Sequence, residues 1–123
     1  MSKEFVLEAT DSSPLCEIDT HERNILLSGV SMPENANEFY FPILEEVNNL
    51  FDNTTGDFSL TVDLSYMNSM SNKQLLRLMK HIESKGFALT VNWKYQANDD
   101  LMKAKGEELK RICPSINYII QEI

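Results

Sequence analysis

The sequence holds little of what metal, redox or nucleotide chemistry is built from. Two residues are cysteine and two are histidine. Cys16 and Cys113 lie far apart with no Cys-x-x-Cys spacing, so no disulfide framework is expected and both are read as reduced thiols. His21 and His81 stand at no His-x-x-x-His or Cys-x-x-His spacing, and no metal ligand is assigned. The four glycines, Gly29, Gly56, Gly86 and Gly106, are scattered, which excludes a Gly-x-x-x-x-Gly-Lys phosphate cradle and a Gly-x-Gly-x-x-Gly turn. Positive charge is scarce: 11 Lys and Arg against 19 Asp and Glu leave a formal charge of −8, which repels a phosphate backbone, so no nucleic acid partner is expected. No apolar run reaches the roughly 18 residues of a membrane-spanning helix. Met1-Ser2-Lys3-Glu4-Phe5 does not open a secretory signal. A cytoplasmic protein with no direct membrane insertion is the expectation.

What is present suffices for one domain. The 123 residues fit a single unit on the usual scale of roughly 100 to 200 residues per domain. An apolar content of 42% can fill a core without staples or metals. Phe5-Val6-Leu7-Glu8-Ala9, Leu15-Cys16-Glu17-Ile18-Asp19 and Ile25-Leu26-Leu27-Ser28-Gly29-Val30, separated by polar turns, read as an antiparallel meander. The period then changes. Phe39 or Tyr40, Ile43, Val47, Leu50 and Phe51 recur at steps of three and four, an amphipathic helix entered through Pro33 and Glu34 and ended at Asn53-Thr54-Thr55-Gly56-Asp57. Pro42 is expected to kink it, or to mark a start near Phe41 after one short turn. Phe58 to Tyr66 alternates at period two, the clearest strand in the chain. Leu75, Leu78, Met79 and Ile82 form one face of a second helix stopped by Gly86; Phe87 to Trp93 is a strand, residues 99 to 112 a charged helix blocked by Pro114, and Tyr118-Ile119-Ile120 a last short strand. The order implies an α/β fold: a small mixed sheet with N-terminal antiparallel strands, then βαβα units with helices flanking the sheet.

Chemistry is concentrated at one junction. Tyr66-Met67-Asn68-Ser69-Met70-Ser71-Asn72-Lys73 lies where a strand stops and a helix starts, with small polar side chains at the carboxyl end of the sheet. The first N–H groups of the helix carry partial positive charge, and Lys73 lies within one turn. A phosphate on Ser69 or Ser71 would meet those donors. The same residue types are also ordinary helix caps, and spacing alone does not separate a cap from a switch. Met67 and Met70 suit an irregular core or an adaptable surface equally. Trp93 and Tyr95, at a strand end, suit either a core or an interface. The acidic pairs Glu45-Glu46, Asp99-Asp100 and Glu107-Glu108 read as solvated faces or first-turn acids. No nucleophile is paired with a base, so no catalytic residue and no cofactor is assigned.

Three segments together carry a resemblance. Pro33-Glu34-Asn35-Ala36-Asn37-Glu38-Phe39-Tyr40, Leu64-Ser65-Tyr66-Met67-Asn68-Ser69-Met70-Ser71-Asn72-Lys73 and Val91-Asn92-Trp93-Lys94-Tyr95 are similar, in order and near-matching separation, to the SiaC family of bacterial regulatory phosphoproteins. The resemblance implies a fold like that of anti-sigma-factor antagonists, STAS-like, and a role in partner switching. It implies a kinase related to anti-sigma factors, a phosphatase, and a diguanylate cyclase as the effector bound by the unmodified form. Carried across, the phosphoacceptor falls on Ser69. Asn68, Ser71 and Lys73 match the motif, whereas Met70 replaces its usual small serine. Tyr66, Met67, Met70, Glu34, Asn35, Trp93 and Tyr95 are the further partner-contact candidates. A different reading, a small-molecule sensor, expects a pocket lined by Tyr66, Trp93 and Tyr95. An enzyme is the third and weakest.

Overall fold

The computed structural model describes residues 5–50 and 56–123, with the side chain of Leu50 set aside. The expected helix stop at Asn53-Thr54-Thr55 and the apolar contribution of Phe51 lie outside the described residues. The elements follow in chain order as β1 (Phe5–Leu7), β2 (Leu15–Asp19), β3 (Asn24–Ser31), α1 (Ala36–Leu50), β4 (Gly56–Met67), α2 (Ser69–Ser84), β5 (Phe87–Tyr95), α3 (Asp100–Ile112) and β6 (Asn117–Glu122).

All six strands form one sheet in sequential order. β1, β2 and β3 pair antiparallel, as short turns allow. β3, β4, β5 and β6 pair parallel, each pair bridged by a helical crossover. The α/β class and the mixed sheet are as the order of apolar periods implies.

One face of the sheet carries the core. Cys16, Ile18, Ile25, Leu27, Phe58, Leu60, Val62, Leu64, Leu89, Val91 and Trp93 are buried at alternate positions along their strands. Against them pack Tyr40, Ile43 and Val47 of α1, Leu75, Leu78, Met79 and Ile82 of α2, and Met102 and Leu109 of α3. Tyr118 of β6 shows α2 and α3 sharing that face, because its hydroxyl donates to the Leu109 carbonyl at 3.1 Å and lies 3.6 Å from the Met79 sulfur.

Two details depart from the sequence pattern. α1 starts at Ala36 and continues through Pro42, so the start near Phe41 does not occur. Proline removes one N–H bond and crowds the carbonyl of Glu38, which lies on the exposed flank. Burial of Tyr40, Ile43, Leu44 and Val47 on the other flank holds the helix across that defect. The second departure is a bulge. Gly29 of β3 faces Leu64 but Val30 faces Tyr66, leaving Ser65 as an extra residue in β4. Gly29 sits there at φ +113, a conformation that side-chain-bearing residues rarely adopt, and its carbonyl accepts from the Ser65 hydroxyl at 3.2 Å.

Candidate functional site

The bulge decides what the end of β4 presents. Phe58, Leu60, Val62 and Leu64 point into the core at period two, and unbroken alternation would send Tyr66 inward as well. The extra residue reverses the phase. Ser65 and Tyr66 become exposed, Tyr66 by 45%, and Met67 turns inward to 1%. The register of β4 with β5 ends at Val62 and Trp93, so beyond that point the described ladder joins β4 to β3.

Asn68 then caps α2. Its backbone is extended at φ −84 and ψ 172, and its side-chain oxygen accepts from the Ser71 N–H at 2.8 Å. Its own N–H donates to the Ser31 carbonyl at 3.1 Å, fastening the helix start to the end of β3. Ser69, the first residue of α2, is exposed. Ser71, two residues on, is fully buried. Residues two apart on a helix do not face each other, so when one points out the other is carried toward the core. Of the two possibilities the sequence leaves open, cap or switch, the capping is done by Asn68, and Ser69 is exposed.

Ser71 ends in a chain of hydroxyls. Its Oγ donates to the Ser31 carbonyl at 2.9 Å and accepts from the Ser31 Oγ at 2.8 Å. The Ser31 Oγ lies 2.6 Å from the Tyr40 hydroxyl. A hydroxyl has one proton, and that of Ser31 is given to Ser71, so Tyr40 must donate to Ser31. Burial pushes the Tyr40 phenol up to about 12, which keeps the proton this bond requires. The chain ties α1 to β3 and β3 to α2. Neither Ser31 nor Tyr40 is a sequence candidate for the site. The available signal was a serine closing an apolar strand and a tyrosine on the apolar stripe of the next helix.

Around Ser69 the exposed apolar side chains are Tyr66, Met70 at 52% and Met32 at 43%, all within three residues of the Ser31–Asn68 junction. Lys73 is exposed one turn along α2, and the first turn of α2 holds no acid. Glu34 and Asn35 are exposed at the entrance of α1, where the Asn35 side chain accepts from the Glu38 N–H at 3.0 Å and so caps that helix. They line an open polar groove of about 530 Å³ with Ser12, Ser13, Pro33, Glu38 and Phe39. The Met32 N–H donates to the Ser12 carbonyl at 2.8 Å, which sets that groove beside the end of β3.

Other candidates are placed elsewhere. Trp93 is fully buried, its indole N–H donating to the Met102 carbonyl at 2.8 Å and its ring against Gly106, where an added Cβ would come within 2.5 Å. Trp93, Met67 and Ser71 are therefore not surface contacts: a full core environment withdraws each of them, and what they can do is hold the surface residues in place. The pocket expected between Tyr66, Trp93 and Tyr95 is not formed, since Trp93 is sealed under α3 and Tyr95 is half-buried. Cys16 and Cys113 are buried free thiols, and burial raises Cys16 to about 12, leaving it protonated and unreactive. His81 is half-buried with its Nε2 at 2.9 Å from the Asn48 side-chain oxygen. Among the described residues no three His, Cys, Asp or Glu side chains are placed to hold a metal ion. Among them, too, no helix is long and apolar enough to cross a membrane.

Comparison with known proteins supports the same picture. The family model of SiaC family regulatory phosphoproteins matches residues 7–123. An uncharacterized Pseudomonas aeruginosa protein is 24% identical over 118 residues, covering 94% of this chain and 93% of its own. In fold the chain is similar to apo-SiaC of Pseudomonas aeruginosa, with a TM-score of 0.82 and 24% identity over 98% of this chain and 99% of that one. It is also similar to a chain from the crystal structure of the diguanylate cyclase SiaD in complex with its activator SiaC from the same organism, with a TM-score of 0.84 and 21% identity over 98% of this chain and 100% of that one. With an exposed serine just after the Asn68 cap of α2 and a family match over nearly its whole length, this chain belongs to the SiaC family of regulatory phosphoproteins.

Proposed function

We propose that the protein is a non-enzymatic cytoplasmic adaptor switched by reversible phosphorylation of Ser69. The observation that carries this reading is the exposure of the Ser69 hydroxyl at the first position of α2, flanked by exposed Tyr66 and Met70. The unmodified surface docks on a diguanylate cyclase, the kind of enzyme with which the structurally similar SiaC of Pseudomonas aeruginosa is found in complex. A kinase of the anti-sigma-factor type adds the phosphate and a phosphatase removes it. Aromatic and methionine side chains supply the adaptable apolar contact that such docking uses.

The switch is electrostatic. A phosphate brings about −1.5 to −2 charges and three acceptor oxygens. Placed in the middle of a partly apolar patch, it must be stripped of water for docking to occur, at a cost of several kcal/mol unless the partner supplies a cation. The chain need not refold to release its partner.

The test is phosphosite mapping by mass spectrometry on protein isolated from its own cell, with pull-downs by Ser69→Ala and Ser69→Asp. Phosphate is expected on Ser69, with cyclase retained by Ser69→Ala and weakened at least tenfold by Ser69→Asp. Absence of phosphate from Ser69 in every growth condition, with both variants keeping all wild-type partners, would overturn the reading.

A further inference from the structure

The first turn of α2 carries two serines of the same chemistry, Ser69 and Ser71, two residues apart. What the fold does with each hydroxyl separates them: Ser69 is exposed and Ser71 is buried. We infer that the buried chain Tyr40, Ser31, Ser71 is the acceptor selector: it locks the Ser71 hydroxyl into the core and leaves Ser69, of these two serines, presented for phosphoryl transfer. The inference rests on the reading of Ser69 as the phosphoacceptor.

The geometry makes the lock complete. The single proton of Ser71 is committed to the Ser31 carbonyl at 2.9 Å, and its Oγ receives the proton of Ser31 at 2.8 Å. Ser31 in turn receives that of Tyr40 at 2.6 Å. The Ser31 carbonyl takes the Asn68 N–H as its second donor, at 3.1 Å. Each hydroxyl in the chain thus has its proton committed, and the carbonyl at its end has both lone pairs occupied. Phosphoryl transfer needs the reverse. The acceptor oxygen must form a bond to the terminal phosphorus of a nucleoside triphosphate held by the kinase as the bond to the leaving diphosphate breaks, and its proton must pass to a base of the kinase. Ser71 can do this only after the first turn of α2 lifts from β3, breaking its two hydrogen bonds and uncovering a buried surface. Ser69, exposed, does it from the folded state.

The selector also fixes the frame of the switch. Asn68 holds the Ser71 N–H at 2.8 Å while Ser31 holds the Ser71 hydroxyl, so the third residue of α2 is pinned from two sides. Pinning it orients the first residue outward.

Phosphosite mapping of wild type, Ser69→Ala, Ser31→Ala/Ser69→Ala and Tyr40→Phe/Ser69→Ala, each expressed in the native cell, tests the assignment. Amide hydrogen exchange of residues 68 to 73 is followed in the purified unmodified chains of wild type, Ser31→Ala and Tyr40→Phe. The expected result is phosphate on Ser69 in wild type, none in Ser69→Ala, and phosphate on Ser71 once Ser31 is also removed. Exchange should rise about tenfold or more in Ser31→Ala, which loses both hydrogen bonds of the Ser31 hydroxyl and, of that chain, keeps only the bond from Ser71 to the Ser31 carbonyl. Tyr40→Phe nearly preserves shape and should move both readouts in the same direction by less, which keeps the test informative if Ser31→Ala folds poorly. A general loss of stability would not redirect phosphate to a particular serine. Phosphate on Ser71 in Ser69→Ala with the hydroxyl chain intact overturns the selector, as does an unchanged acceptor together with unchanged exchange in both hydroxyl variants. If wild type carries no phosphate on Ser69, the adaptor reading fails, and a selector of acceptors falls with it. Exchange in that case still reports, independently, whether the hydroxyl chain holds the helix start.

Discussion

β4 and β5 run side by side and each hands over to a helix capped by an Asx side chain, yet the two junctions are built for opposite ends. After β4, one residue, Asn68, intervenes before α2, and its neutral amide oxygen accepts the third-residue N–H at 2.8 Å. After β5, four residues precede α3, and the cap is Asp99, whose carboxylate accepts the Met102 N–H at 3.1 Å. Asp100 follows in the first turn of α3, with Lys110 and Arg111 in its last. The positive end of the α3 dipole is thus met by permanent charge, whereas that of α2 has no acid in its first turn and carries Ser69 there instead. One junction has its negative charge written into the sequence. The other carries an exposed serine, which on the proposed reading is where charge is added and removed. They differ in the same way beneath the surface: under α3 a tryptophan is packed against a glycine, while under α2 three hydroxyls are linked in series.

The sharpest way to separate the two is to break the packed one. Trp93→Ala removes a fully buried ring and its bond to the Met102 carbonyl, and should cost about 3 to 5 kcal/mol of stability. Because Trp93 touches no surface, the variant that remains folded at low temperature should, on the proposed function, keep wild-type affinity for its cyclase partner. Thermal or urea unfolding measures the first expectation and a pull-down at low temperature the second. A selective loss of binding with unchanged stability would restore Trp93 to the interface.

How far such a distinction was legible in the sequence depends on the kind of information each part needed. The strand from Phe58 onward, the stripe of Leu75, Leu78, Met79 and Ile82, and the parallel second half follow from local period and element order. The inward turn of Met67 does not, because it comes from Ser65 as an unpaired residue in β4 opposite Gly29, a matter of register between two strands. Ser69 and Ser71 look equivalent in a string of letters. What separates them is Ser31, forty residues before Ser71 and adjacent only once β3 and β4 are paired. Trp93 misleads for a similar reason: an aromatic at a strand end is ambiguous until α3 brings Gly106 over its ring. Pro42 shows the complementary limit, since a local rule allows a helix start near Phe41, whereas α1 begins at Ala36 with Tyr40 and Ile43 buried on either side of the proline.

A second contrast between the junctions is chemical, and alkali exposes it. The indole N–H under α3 does not titrate in the accessible range, but the phenol under α2 does. Burial raises Tyr40 from 10.0 to about 12. The folded state then holds a proton that the unfolded chain releases, so the associated stability is complete below pH 10 and is lost as pH climbs toward 12. Wild type should therefore lose stability over that window more steeply than Tyr40→Phe. Burial also raises Tyr118 and Cys16, which are present in both proteins, so the difference between the two unfolding curves reports Tyr40 together with its coupling to Cys16. Parallel curves from pH 9 to 12 would show that burial does not hold the proton on the Tyr40 phenol.

The smallest expected effect bears most directly on the comparison. If α2 lacks the charge that α3 has, then exchanging charge between them should give changes of opposite sign. Ser69→Asp adds a carboxylate at the first position of α2 and should stabilise the chain by about 0.3 to 1 kcal/mol at low ionic strength. Asp100→Ser removes one from the first turn of α3 and should destabilise by a similar amount, again about 0.3 to 1 kcal/mol. Both shifts should shrink at about 1 M salt, where the screening length falls to roughly 3 Å. Chemical denaturation with urea, which leaves ionic strength unchanged, reads them. The sign for Ser69→Asp is the informative part, because the same charge is expected to weaken docking on the cyclase. A variant that folds more tightly and binds less cannot have lost its partner through unfolding. Its lost affinity must come from the cost of covering a charge, which is the mechanism assigned to the phosphate; a variant that loses stability and binding together would point to a disturbed helix start instead.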